Sequence, residues 1–140
     1  MRLIPSAAAF LLFLSASAVF AKDVIVGDWY EDMKQRGMRT ISIAHFHADG
    51  TFLVEFRKCF PGGVLDTTEA GHWTYTDGKM HLRKEMYNGV PGILFEETYQ
   101  TTSNNGRIWD YRLISTLVPV SFHDVRVTAD SKMPGCDMTS

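Results

Sequence analysis

Little in this 140-residue chain points to a nucleic acid, a phosphate group or a covalent reaction. Lysine and arginine are nowhere concentrated on one stretch, and a formal net charge of −2 leaves no electrostatic footprint for nucleic acid. The glycine-rich turn Pro61-Gly62-Gly63 has no helix after it, so it forms no phosphate cradle. Ser, His and Asp are all present, but no nucleophile elbow or orienting motif joins them into a triad. No Asn-x-Ser/Thr tripeptide occurs, so there is no acceptor for N-glycosylation. Beyond residue 21 no apolar run approaches the ~20 residues of a membrane-spanning helix. Cysteine is scarce, with two in all.

The N-terminus is more informative. Arg2 precedes a short apolar run at 7–14, and Val19-Phe20-Ala21 places small residues where a signal peptidase reads. Residues 1–21 therefore read as a signal peptide, with 22–140 as a single domain exported to the periplasm or the medium. Cys59 and Cys136 both fall in the exported part, where an even count favours a disulfide tying the C-terminal tail to the middle of the chain. Apolar residues at 45% and aromatics at 12% are enough for one core and too many for disorder.

From residue 24 onward the punctuation is that of hairpins. Asp49-Gly50, Asp77-Gly78, Asn88-Gly89 and Asn104-Asn105-Gly106 recur between short runs rich in β-branched and aromatic residues. These runs predict eight strands, over 24–30, 39–46, 51–60, 69–76, 79–87, 94–102, 107–115 and 120–128. Residues 28–36, with Asp28 as a cap and Gly37 as a stop, allow at most one short helical turn. A three-residue loop with Gly50 in the left-handed position pairs Phe46 with Phe52 and sets them on one face with Val54 and Phe56. Trp73 and Tyr75 alternate with His72, Thr74 and Thr76, while Trp109, Tyr111 and Leu113 alternate with Ile108, Asp110 and Arg112. One aromatic and one polar face per strand suits an all-β, eight-stranded antiparallel up-and-down barrel, whose closure removes the sheet edges.

Gly27-Asp28-Trp29 resembles the start of the first strand in the lipocalin and wider calycin group. The chain as a whole is similar to the small exported lipocalin-like domains of bacteria. The resemblance implies a barrel closed around Trp29, with Arg126 near the end of the last strand lying over the indole. Asp110-Tyr111 looks like part of the group's second motif. Gly71-His72-Trp73 repeats the Gly-x-Trp pattern inside the same chain.

Two patterns carry chemistry. His45-x-His47 points two imidazoles the same way from a strand, a weak metal candidate for which only His72, His81 or His123 could supply a third ligand. Glu97 shares a face with Phe95 and Tyr99, so it is either a carboxylate facing the interior beside Lys84 or Arg57, or a residue at the barrel mouth in water. Phe46, Phe52, Phe56, Trp73, Tyr75, Tyr99, Trp109 and Tyr111 line the expected interior. They serve either as a pocket for a small apolar or aromatic ligand or as a filled core. No catalytic residue and no cofactor are indicated. The expected function is non-enzymatic small-ligand binding or a packed recognition module. The alternative is a protein partner, with the chain inhibiting an exported hydrolase through loops at 59–68 and 87–94. An enzyme using Glu97 or the histidines is the weakest reading.

Overall fold

Hairpin follows hairpin until the chain meets its own beginning. The computed structural model describes residues 22–137, so the expected signal peptide lies outside the described residues. The strands are β1 (Gly27–Gln35), β2 (Met38–Phe46), β3 (Thr51–Phe60), β4 (Gly63–Thr76), β5 (Lys79–Tyr87), β6 (Val90–Asn104), β7 (Ile108–Leu113) and β8 (Val120–Val127). Each pairs antiparallel with the next, and β8 returns to β1 through Trp29↔Arg126 and its two neighbouring pairs, closing the barrel. Tight turns set the registers. Arg36-Gly37, Asp77-Gly78 and Asn88-Gly89 all have positive φ at both residues, the two-residue turn whose twist matches that of the flanking strands. Phe46 pairs with Phe52 as the loop spacing predicts.

Three expectations are corrected. Residues 28–36 form no helical turn. They belong to β1, because β2 and β8 on either side engage this backbone and period two buries Trp29 inside. The short helical turn lies instead at residues 22–25, ahead of the first strand, which therefore starts at Gly27 and not at residue 24. The segments 59–68 and 87–94 are not projecting loops. Cys59↔Val64, Phe60↔Gly63 and Tyr87↔Val90 are ladder pairs, so both hairpins continue to two-residue turns.

One end of the barrel is sealed. Trp29 and Trp109 are fully buried with ring centres 5.4 Å apart, and Phe46 lies 5.5 Å from Trp73 and 5.9 Å from Trp109, all edge-on. Ile25, from the 22–25 turn, packs into this cluster, and its carbonyl accepts the Trp29 indole N–H at 2.8 Å. The Arg126 guanidinium lies 4.3 Å from the Trp29 ring centre and donates to the carbonyls of Val24, Val26 and Gly106. Gly27 is required beneath it, since φ is +132° and a Cβ would strike Arg126. Gly71 has a different reason. A β-bulge brings the Arg83 carbonyl so near that no Cβ fits.

The tail that follows β8 is held on the outer face of β3. There Cys136 is bonded to Cys59, and the Pro134 carbonyl accepts from Arg57 Nη1 at 2.9 Å. Ile41 stands opposite Arg57 in the ladder, and Ile41 and Ile43 are 0% and 1% exposed although they face outward.

Candidate functional site

Above the aromatic seal the barrel interior turns ionic. Period two carries Glu31 inward two residues after Trp29, Lys84 two after Leu82, Glu97 two before Tyr99, and Asp124 two before Arg126. Glu69 joins them from β4, on the face of Thr67, Gly71 and Trp73.

The first of two groups centres on Lys84. Its ammonium lies 2.7 Å from Glu69 Oε2 and 2.9 Å from Glu97 Oε2, and Glu97 also accepts from the Tyr99 hydroxyl. Burial alone would lower the lysine pKa, but the two carboxylates more than reverse that and hold it charged. Burial, reinforced by Glu97, pushes the Tyr99 hydroxyl far above its ordinary value, so it remains a neutral donor. Of the two cations weighed as partners for Glu97, Lys84 is the one in place. Arg57 lies on the outer wall and is bound bidentately to Asp66 at 2.8 Å.

The second group is a carboxyl pair. Asp124 is only 2% exposed, accepts from Tyr111 Oη at 2.9 Å and faces Glu31. Burial raises Asp124 well above the carboxylate range, and the neighbouring Glu31 carboxyl adds to the shift. Burial raises Glu31 too. Two adjacent carboxylates in so dry a place repel, which favours the protonated form within the pair. A raised folded-state pKa gives stability that is complete at acid pH and is lost as pH rises through it. Outside the barrel, Asp32, Asp66 and Asp110 are shifted down by their hydrogen bonds to Arg39, Arg57 and His123. Their contribution disappears only when acid protonates them, below about pH 4. Stability is therefore expected to fall as pH rises above the ordinary carboxylate range, and Asp124→Asn should flatten that slope in urea titrations run at several pH values. An unchanged slope in the variant would mean that the pair does not control it.

The mouth of the barrel holds a recess of about 220 Å³ between β4, β5 and β6. Glu69, Lys84 and Glu97 form its polar side, and Met86, Tyr87 and Phe95 its apolar walls. A hollow of about 360 Å³ over β4–β6 is lined mainly by the polar outer-wall residues His72, Thr74, His81, Arg83, Glu96 and Thr98, with Trp73, Leu82 and Glu97 also touching it.

Among the residues expected to meet a ligand, only Glu97 lines the recess, and Tyr99 reaches it through Glu97. Phe46, Phe52, Trp73 and Trp109 pack together at the sealed end, with Phe56 against them. Tyr111 stacks on Phe122 at 5.1 Å in mid-barrel. His45 faces outward, with Nδ1 toward Asp28 and Nε2 3.0 Å from Glu55. Burial opposes its protonation, yet the bonds to Glu55 and Asp28 prevail and raise its pKa, and both ring nitrogens are engaged by carboxylates. His47 is exposed on the β2–β3 turn. His72, His81 and His123 are engaged on the outer wall with Glu85, Thr98 and Asp110. Among the described residues no three metal-binding groups converge.

Glu31, Glu69 and Asp124 belong to no motif in the sequence, although counting by two from Trp29, Trp73 and Arg126 reaches all three. Comparison with known protein families and with curated proteins yields no match. The closed eight-stranded antiparallel barrel is consistent with a calycin-like architecture on geometry alone.

Proposed function

We propose that this protein is an exported, non-catalytic barrel that binds a small ligand with an apolar or aromatic body and a donor-bearing polar end. The observation that carries this reading is the recess at the mouth, where apolar walls meet the Glu69–Lys84–Glu97 group. Two carboxylates against one ammonium leave an excess negative charge, which favours an amine or another hydrogen-bond donor on the ligand. The volume is below the ~300–1,000 Å³ of common small-molecule sites, which suits a single ring with a short arm. The sealed aromatic end acts as the rigid base of the site, which reconciles the two expectations of a filled core and a pocket. Export accords with the bonded pair Cys59–Cys136, since an oxidising compartment preserves such a bridge. The inhibitor reading has less support, because its two binding loops are paired strand tips.

N-phenyl-1-naphthylamine, an aromatic dye with one N–H donor, is a suitable probe. Saturable binding with enhanced emission is expected. Glu97→Gln and Phe95→Ala should each weaken it by about tenfold, the equivalent of one good contact. Binding that neither substitution alters would place the dye elsewhere and remove support for the recess.

A further inference from the structure

The two ends of the barrel differ in what they show to solvent. At the sealed end the turns carry His47, Asp49, Asp77, Asn104 and Asn105. At the mouth, the hairpin tips are apolar. Leu117 and Val118 on the β7–β8 connection are 104% and 74% exposed, and Val90 and Leu94 on the β5–β6 tip are 63% and 60%. Val64 and Leu65 stand out in the same way on the β3–β4 tip. Of the exposed large apolar side chains among the described residues, only Leu53, Ile108 and Val125 lie away from this end. A ring of this kind is larger than the scattered exposure of an ordinary soluble surface.

Charge completes the pattern. Lys34 and Arg36 at the β1–β2 tip and Lys58 beside the β3–β4 tip are exposed, and no ion pair among the described residues engages them. Of the acids nearby, Asp32 is matched by Arg39 and Asp66 by Arg57, Glu85 lies 3.6 Å from Arg83, and the one excess carboxylate of the Glu69–Lys84–Glu97 group sits inside the recess rather than on the rim. Mid-strand, the outer wall carries His72, Arg83, Glu96, Arg112 and His123, which no lipid-facing band tolerates, so the barrel does not span a bilayer.

We propose that the mouth docks on an anionic lipid surface, with the apolar tips inserted to headgroup depth and Lys34, Arg36 and Lys58 against the lipid phosphates. Apolar side chains beside unpaired cations are what interfacial binding uses. The barrel axis then stands across the surface, and the recess opens into the lipid boundary. This goes beyond small-ligand binding and does not depend on it.

Vesicle flotation of the chain from Lys22, which contains all eight strands and the tail, tests the proposal. The chain should float with vesicles of phosphatidylcholine and phosphatidylglycerol, less with phosphatidylcholine alone, and less at high salt. Leu117→Asp combined with Val90→Asp should reduce flotation about tenfold or more while leaving the melting temperature unchanged, since both side chains are exposed. Lys34→Glu with Lys58→Glu should abolish the preference for anionic vesicles. A wild-type chain that stays with the soluble fraction in both cases overturns the proposal, as does flotation indifferent to the Asp substitutions. A dimer in sedimentation that Leu117→Asp dissolves, without vesicle binding, also overturns it and assigns the tips to a second copy. Loss of dye binding in Glu97→Gln with flotation intact would bear on the recess alone.

Discussion

Trp29→Ala is expected to remove about 3–5 kcal/mol of folding stability, the range for truncating a buried Trp. The residue is 0% exposed, its indole N–H is bonded to Ile25, and Trp109 and the Arg126 guanidinium pack against its ring. It also stands where β1 meets β8, so the cavity would open at the seam that closes the barrel. A domain of this size has about 5–15 kcal/mol in total, so the variant should be largely unfolded under mild denaturant. A milder pair isolates the contact. In a double-mutant cycle of Trp29→Leu with Arg126→Met, coupling of about 1 kcal/mol is expected from the guanidinium on the indole face. The same cycle with Trp73→Leu should give close to none, because Phe46 and Trp109 stand between Trp73 and the Trp29–Arg126 pair. Urea titrations measure both, and absence of coupling in the first pair would contradict the seam as described.

Breaking the disulfide is expected to have an effect of similar size. The bridge closes a separation of 77 residues, and loop-closure entropy for that length is about 4 kcal/mol. Its loss also removes the tail's covalent tie to β3, leaving the Arg57–Pro134 bond. Cys136→Ser should lower the melting temperature by on the order of 10–20 °C. Cys59→Ser should lower it somewhat further, because it leaves a hydroxyl where the sulfur is 0% exposed. Reductant should bring the wild type down to the level of the variants and leave the variants unmoved. Wild-type melting that ignores reductant would mean that the tail is held by its other contacts alone.

The fold was legible because turns and alternation are local properties. Asp77-Gly78 and Asn88-Gly89 announce their turns, and Trp73, Trp109 and Tyr111 mark the inner face of their strands by period two alone. Strand ends were harder to place. Residues 63–68 and 90–93, next to their Gly- and Pro-containing turns, read as loop, and only pairing across the hairpin makes them strand. The start of β1 is hard to read from sequence because Val24 and Ile25 have strand-like side chains, while Ile25 packs into the sealed end and the Val24 carbonyl accepts from Arg126. Glu97 and Lys84 were legible as candidates, since each follows the alternation of its own strand. The Glu31–Asp124 pair was not, because it forms only when the first and last strands meet, 93 positions apart in register order from Glu31 to Asp124. The recess was beyond reach for the same reason, as its walls come from three strands and depend on the bulge after Lys84 that shifts the register of Met86 and Tyr87.

The central claim, a small ligand in the mouth of the barrel, is tested most directly by native mass spectrometry of the protein purified from its own host. A retained small mass is expected, released on gentle activation and absent from Phe95→Ala and Glu97→Gln prepared in the same way. A spectrum showing only the bare polypeptide, or a retained protein partner that both variants keep, would contradict it.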